Sequence, residues 1–185
     1  FLPGAGEIQR AASMLEEEGV GAKVVALYGD LPFKKQQEAI LPDVNGVRKI
    51  VLATSIAETS LTIEGITTVI DSGFARVPRF DTRSGLTRLE TVKVTRDAAD
   101  QRAGRAGRLG PGACYRMWLQ SAHHLLQPSR KPEIMEADLA TLVLELANWG
   151  VNDLNELTWL TPPPAGAVNQ AKELLTSLEA LHENK

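Results

Sequence analysis

One short segment concentrates side chains that bind phosphate. Residues 101–108 read Gln-Arg-Ala-Gly-Arg-Ala-Gly-Arg, so three arginines and a glutamine fall within eight positions. A guanidinium offers N–H donors in a planar fork that matches phosphate oxygens. If the segment is helical, Gln101, Arg105 and Arg108 lie within about 60° on one face. This spacing predicts a site for a polyanion such as a nucleotide γ-phosphate. The alternative is an Arg/Gly-rich segment that binds RNA without folding.

A second segment, residues 53–65, is rich in hydroxyl side chains. Five of the nine residues from 54 to 62 are serine or threonine. The segment begins where a predicted buried strand ends, and ligands of open α/β sheets collect at the carboxyl ends of strands. Hydroxyl groups can donate hydrogen bonds to phosphate oxygens. The pattern indicates a second phosphate-contacting segment, with an ordinary turn capped by Ser and Thr as the alternative.

Charge is distributed unevenly along the 185 residues. The formal net charge is −3, yet residues 72–108 hold nine basic and four acidic side chains between two acidic flanks. Such a basic block favours a phosphate-rich partner, and a solvated surface is the alternative. The single cysteine, Cys114, excludes an internal disulfide and a multi-cysteine zinc site. We therefore expect no metal site and a cytoplasmic location. No apolar run is long enough to cross a bilayer, so no membrane association is expected.

The surrounding sequence predicts the elements that position the two segments. Ile8, Ala11, Ala12 and Leu15 recur at helical spacing. Short apolar runs without alternation follow, which is typical of parallel strands covered by helices on both faces. The alternation of helix and strand predicts an α/β fold. The predicted helices are 7–18, 32–40 and 97–107, and the predicted strands are 24–28, 49–53, 67–70 and 113–118.

Two regions depart from this alternation. Residues 76–95 alternate apolar and charged side chains around the turn sequence at 81–85, which predicts a β-hairpin inserted in the α/β domain. After Trp118 the sequence becomes helical, with apolar stripes at 139–149 and 168–181. We therefore expect two domains, residues 1–118 and residues 119–185, the second small and helical.

The order of these segments resembles the second RecA-like domain of superfamily 2 helicases of the DEAH/RHA group. Residues 101–108 match motif VI, and residues 53–65, followed by 69–73, resemble motif V. Phe1–Gly4 is similar to motif IV. Residues 119–185 resemble the start of that group's winged-helix domain. Within the group the likeness is to the bacterial HrpB branch, which residues 80–91 also resemble. The family usually has Asn where this chain has Ser55.

The resemblance implies a nucleotide-binding role for the second segment's Glu64 and for the first segment. Gln101, Arg105 and Arg108 would face the γ-phosphate of ATP as catalytic residues, with the two arginines acting as arginine fingers. Glu64 would lie near the ribose. Arg102 is expected to be structural.

The resemblance also implies contacts with a nucleic-acid backbone. Thr54 and Ser55 would contact RNA, and Ser60 would link the RNA site to the ATP site. Motif IV and the hairpin supply the remaining predicted contacts, which are Gly4, Arg83 and Arg88.

By this resemblance the chain would be the C-terminal motor domain of an ATP-dependent RNA helicase that acts on single-stranded or duplex RNA, with DNA as the alternative. The 185 residues contain neither a Gly-x-x-x-x-Gly-Lys-Ser/Thr phosphate loop nor an Asp-Glu-x-His motif. ATP and Mg²⁺ are therefore expected to be held mainly by an N-terminal RecA-like domain in cis. The isolated chain is predicted to be inactive. A non-catalytic RNA-binding or scaffold module with a helicase-like fold is the alternative function.

Overall fold

The structure, a computed structural model, describes residues 1–59, 61–81, 85–151 and 153–182. The chain divides into two compact units. The first comprises Phe1–Val77 and Glu90–Arg130, and it contains the described residues of both segments predicted to bind phosphate. The second comprises Pro78–Leu89 and Lys131–Lys185.

Six helices and six strands are formed by the described residues. The helices are α1 (Ala5–Glu17), α2 (Phe33–Ile40), α3 (Arg96–Ala103), α4 (Gln120–His123), α5 (Ala140–Asn148) and α6 (Ala165–Ser177). The strands are β1 (Lys23–Leu27), β2 (Lys49–Ala53), β3 (Thr68–Asp71), β4 (Phe74–Asp81), β5 (Leu86–Lys93) and β6 (Ala113–Arg116). Short 3₁₀ turns lie at Ser55–Ala57, Glu133–Met135 and Leu154–Glu156.

Two parallel strand pairs form the sheet of the first unit. Strand β1 pairs with β2 in the register Leu27 to Ala53, and β3 pairs with β6 in the register Asp71 to Arg116. The first residues of the chain connect the pairs. Phe1 donates to the Ile70 carbonyl at 2.6 Å and accepts from the Ser72 N–H at 3.2 Å, which is the bonding pattern of parallel strands.

The other edge of this N-terminal segment bonds to β2, because the Leu2 N–H donates to the Ala53 carbonyl at 2.8 Å. Phe1 and Leu2 therefore lie between β2 and β3, as expected for the end of a strand. In parallel strands the carboxyl ends meet at one edge of the sheet. Gly4, Thr54 and Ser72 consequently follow neighbouring strands at the same edge.

Burial differs between the two strand pairs. Leu27 at the end of β1 is fully buried and packs with Ala39 of α2 and Ala57. Strand β3 instead alternates, with Val69 and Asp71 buried and Ile70 58% exposed. This alternation departs from the continuous burial expected of a strand that helices cover on both faces.

The predicted hairpin is present as the paired strands β4 and β5. The Gly85 N–H donates to the Asp81 carbonyl at 2.8 Å and closes the connection between them. Gly85 has a φ of +66°, a conformation that glycine adopts without steric cost.

The second unit is built around two amphipathic helices. Val143 and Leu146 of α5 pack with Val168, Ala171 and Leu175 of α6 in one apolar cluster. Helix α5 is followed by Gly150 at a φ of +87°, as expected for a helix that stops at a glycine. In the part of the chain that the structure describes, no helix has the length and apolar character needed to cross a membrane.

Candidate functional site

The helix that carries the arginine-rich segment is shorter than predicted. Helix α3 ends at Ala103, whereas the sequence predicts a helix to residue 107. The Arg105 and Ala106 N–H groups bond to the carbonyls of Arg102 and Ala103, three residues back, so the chain tightens into a turn. Two glycines in this stretch lower the helix propensity by about 1–2 kcal/mol, which favours this early end. The predicted helix to residue 107 is therefore wrong, and the helical projection of Gln101, Arg105 and Arg108 does not apply beyond Ala103.

Arg105 instead lies against the hydroxyl-rich segment. Its Nη1 donates to the Leu61 carbonyl at 3.1 Å, and its Nη2 contacts the carbonyls of Glu58 and Thr59. The guanidinium thus joins the two predicted segments through backbone acceptors of the loop after β2. Its Nε has no hydrogen-bond partner among the described residues.

Gln101 and Arg108 are exposed on either side of Arg105 in the sequence. Within the described ranges neither side chain has a hydrogen bond or an ion pair. Burial, and secondarily the positive charge of Arg108, lower the pKa of the Arg105 guanidinium. The contribution of Arg108 reflects repulsion between the two positive guanidiniums, and an anionic ligand would reduce this repulsion.

Arg102 has a different environment from its two neighbouring arginines. Its side chain is fully buried, and its Nε donates to Glu58 Oε1 at 2.8 Å. Its Nη1 donates to Asp71 Oδ1 at 2.7 Å and to the Phe74 carbonyl at 3.1 Å. Its guanidinium carbon also lies 5.0 Å from the centre of the Phe1 ring. This burial agrees with the structural role expected for Arg102.

Asp71 connects this buried network to the next turn. Its Oδ1 also accepts from the Gly73 N–H at 2.9 Å. Gly73 has a φ of +81°, and a Cβ at this position would lie 2.8 Å from the ring of Trp118. Both observations require glycine there, so the sequence Asp71-Ser72-Gly73 is a fixed turn that holds the acceptor of Arg102.

Among the described residues of the hydroxyl-rich segment, the backbone of the predicted ligand residues makes internal hydrogen bonds, but their side-chain hydroxyls do not. The Thr54 N–H donates to the Leu27 carbonyl at 3.1 Å. The hydroxyls of Thr54 and Ser55, both half-buried, make no hydrogen bond within the described part of the chain. Glu64 is exposed in a turn with Gly65, whose φ is +77°. Ser60 lies outside the described residues.

Gly4 is brought to the same edge of the sheet as Thr54, but it is buried. The guanidinium of Arg76 covers it, and a Cβ on Gly4 would lie 2.6 Å from Arg76 Nη1. Arg76 also pairs with Glu7 at 3.2 Å. A ligand at Gly4 would therefore meet Arg76, one of the basic residues of the hairpin predicted at 76–95.

Of the two hairpin residues predicted to contact RNA, the structure describes one. Arg88 is exposed on β5, and Arg83 lies outside the described residues. The structure thus brings Arg105 to the loop after β2 and places Thr54 and Gly4 at one edge of the sheet.

Sequence reasoning missed two further residues of the site. Glu58 is 3% exposed and accepts from both Arg102 and Arg130. The one available signal for Glu58 was a carboxylate among the otherwise uncharged residues 54–62. Arg130 had no local signal, because it lies 72 positions from Glu58 in the sequence. Among the residues described, no group of three or more His, Cys, Asp or Glu side chains is arranged to hold a metal ion.

The fold and the site together define an α/β domain in which the arginine-rich segment contacts the hydroxyl-rich segment at one edge of a parallel sheet. The helicase conserved C-terminal domain family matches residues 1–110, more than half of the chain, and the chain belongs to that family.

Relatives and solved structures extend the likeness over nearly all of the chain. The ATP-dependent RNA helicase HrpB of Escherichia coli (strain K12) is 48% identical over 183 residues, which are 98% of this chain and 22% of that protein. The probable ATP-dependent RNA helicase DHX35 homolog of Caenorhabditis elegans is 38% identical over 189 residues, 99% of this chain and 26% of that protein. The chain therefore spans about a quarter of the length of these curated relatives.

A crystal structure of the Escherichia coli DEAH/RHA helicase HrpB matches with a TM-score of 0.91 and 47% identity, covering 99% of this chain and 24% of that one. A second crystal structure, of the E. coli DExH-box NTPase HrpB, matches with a TM-score of 0.86 and 47% identity, again over 99% of this chain and over 23% of that one. The resemblance to the HrpB branch and the predicted α/β fold of parallel strands and helices are thereby confirmed.

Proposed function

We propose that this chain is the C-terminal motor domain of an ATP-dependent RNA helicase, and that Arg105 and Arg108 act on the γ-phosphate of ATP. The observation that carries the proposal is the contact of Arg105 with the carbonyls of Glu58, Thr59 and Leu61. Through this contact, a change at a bound phosphate would reach the loop after β2 directly. A motor requires such a link between nucleotide and nucleic acid.

The available donors fit a phosphate group. Arg108 and Gln101 are exposed, whereas the Arg105 Nε is buried and its Nη groups contact carbonyls, so Arg105 would have to exchange one of these contacts to reach a phosphate. Charge placed on a transferring phosphoryl group stabilises its transition state, and an arginine finger contributes about 10³–10⁵ to turnover in related chemistry. Gln101 would orient the phosphate as a neutral donor, and Glu64 would accept from the ribose hydroxyls.

ATP is bound with Mg²⁺ in reactions of this type, and the ion neutralises charge on the phosphates. The 185 residues contain no phosphate-loop motif and no Asp-Glu-x-His motif, which are the parts of such a site that hold the phosphates and the ion. We therefore assign the metal and the phosphate loop to an N-terminal RecA-like domain in cis. Arg105 and Arg108 would complete the site from the opposite side.

We assign the hydroxyls of Thr54 and Ser55, with Ser60, to the phosphate backbone of single-stranded RNA. Both described hydroxyls lack an internal partner and follow β2 at the sheet edge that also holds Gly4. Arg83 and Arg88 of the hairpin would add contacts that do not depend on base sequence. The domains we propose are 1–118, RecA-like, and 119–185, part of a winged helix, in a cytoplasmic protein.

The test compares the full-length protein with the isolated 185 residues. We expect the full-length protein to hydrolyse ATP with stimulation by single-stranded RNA, and the isolated chain to show no turnover above a buffer blank. A full-length protein that binds RNA without hydrolysing ATP would instead be a scaffold with a helicase-like fold.

A further inference from the structure

The five residues that end the first unit, Leu126–Arg130, hold the beginning of α3. Leu126 is 9% exposed and packs with Ala98 and Ala99 of that helix. The Arg96 N–H donates to the Gln127 carbonyl at 2.9 Å, and the Asp97 N–H donates to the Pro128 carbonyl at 3.1 Å. The first N–H groups of a helix have no acceptor within the helix. This segment, which we call the exit segment, supplies carbonyl acceptors for two of these N–H groups.

The last residue of the exit segment reaches the loop after β2. Arg130 Nη2 pairs with Glu58 Oε2, while the other oxygen of the same carboxylate accepts from Arg102. The Glu58 side chain is only 4% exposed. The exit segment therefore forms hydrogen bonds with the helix that leads to Arg105. It also forms an ion pair with the loop whose carbonyls accept from Arg105.

The charges explain why a second arginine is needed at Glu58. Two buried carboxylates, Glu58 and Asp71, share one buried guanidinium, that of Arg102. A buried charge without a partner is strongly unfavourable. Among the described side chains, Arg130 supplies the second positive charge on Glu58. The Arg130 side chain is 43% exposed, and its ion pair balances charge on a carboxylate that is itself buried.

We propose that Arg130 is a positioning residue that couples the chain leaving the α/β unit to the place where Arg105 is held. Lys131 begins the second unit, so a displacement of the following chain acts first on Arg130. Such a displacement would shift Glu58 and the start of α3 together, and it would change how Arg105 is presented to phosphate. This proposal rests on the proposed function, because Arg105 is taken to act on ATP.

The first test measures hydrogen exchange in the full-length protein and needs no activity. Arg130→Ala should make the amides of Ala57 and Glu58 exchange about tenfold faster, as expected for the loss of one charge-assisted hydrogen bond. Arg130→Lys, which keeps the charge, should lie between wild type and Arg130→Ala. The matched control is Arg116→Ala, which removes a half-buried arginine that pairs with Asp100 of α3 and makes no contact with Glu58. It should leave these two amides within about twofold of wild type.

The second test measures ATP turnover at saturating RNA. Arg130→Ala should lower kcat about three- to tenfold and leave the KM for ATP within about twofold, since coupling is lost while ATP binding is retained. Recovery of kcat by Arg130→Lys would support a charge-based link.

Two results would overturn the proposal: unchanged exchange at residues 57–58 in Arg130→Ala, or the same exchange in Arg130→Lys as in Arg130→Ala. Failure of the proposed function would look different, because the wild-type protein would then show no RNA-stimulated turnover. Hydrogen exchange would still decide the role of Arg130 in that case.

Discussion

Arg102 and Glu58 lie 44 positions apart in the sequence, and Arg102 Nε donates to the Glu58 carboxylate at 2.8 Å with both side chains buried. This pair joins helix α3 to the loop after β2 without any ligand. It separates Arg102, which holds the fold through two carboxylates, from Arg105, whose guanidinium contacts carbonyls of the loop after β2, and from Arg108, which is exposed.

Replacement of Arg102 should therefore act mainly on the stability of the folded domain and not directly on ATP hydrolysis. Arg102→Ala leaves Glu58 and Asp71 as buried carboxylates without their shared partner, and we expect it to lower the free energy of unfolding by about 3–5 kcal/mol. Urea unfolding of the full-length protein, followed through this domain, measures the effect. Arg88→Ala on exposed β5 is the control and should change stability by less than about 0.5 kcal/mol. Equal stability of the two variants would refute the structural role of Arg102.

The turn after the arginine-rich segment depends on a glycine. A Cβ on Gly112 would lie 2.1 Å from the carbonyl oxygen of Ala106, which is backbone and cannot move aside. We expect Gly112→Ala to lower the free energy of unfolding by about 1–3 kcal/mol, as overpacking does in other folds. Gly110→Ala is a matched control, because a Cβ there meets nothing within 4 Å. Thermal unfolding of both variants in the full-length protein should separate them, and identical midpoints would contradict the close approach.

The thiol of Cys114 provides a test that depends on pH. Burial raises the pKa of this thiol above its ordinary value of 9.0, and Arg116 opposes the shift more weakly. Because the thiolate is the nucleophile, alkylation of the folded protein by iodoacetamide should be slow at pH 7 and should accelerate only above pH 9. In urea, where the protein is unfolded, the alkylation rate should rise at the ordinary thiol pKa. An alkylation profile that is the same in folded and unfolded protein would exclude a shifted pKa.

The hairpin is expected to contribute to unwinding more than to hydrolysis. Residues 82–84, which the sequence predicts as part of its turn, include Arg83, and phosphate contacts there would bind RNA without reading its sequence. Replacement of residues 82–84 by Gly and Ser in the full-length protein should preserve most RNA-stimulated ATPase while duplex unwinding falls about tenfold or more. Unchanged unwinding would leave the hairpin as a cover for the sheet edge.

Much of the α/β unit could be predicted from local patterns. Strand β2 begins and ends at the predicted residues, and β1 and β3 are displaced by a single residue. Parallel strands with short apolar runs are well determined by sequence because both the run and its ends are local. The predicted sheet-edge position of the hydroxyl-rich segment followed from the same reasoning, since Thr54 comes directly after β2.

The end of α3 and the contacts of Arg105 could not be predicted in the same way. A helical projection assumes that the helix continues, and here the backbone turned at Gly104. Glu58, Arg102 and Arg130 come together from three distant parts of the chain. Their association depends on charge balance in a buried environment, which spacing in the sequence does not encode.

The central claim is that Arg105 and Arg108 act on the transferring phosphate, and steady-state ATP turnover of the full-length protein tests it most directly. Arg108→Ala and Arg105→Ala should each lower kcat about 10³-fold or more. Their RNA affinity, measured in parallel by anisotropy, should stay within about threefold, because the charge is directed at phosphate transfer. Lysine at either position should restore little, since the planar fork is lost. Near wild-type kcat in Arg105→Lys and Arg108→Lys, or a loss of RNA affinity as large as the loss of turnover, would contradict the account.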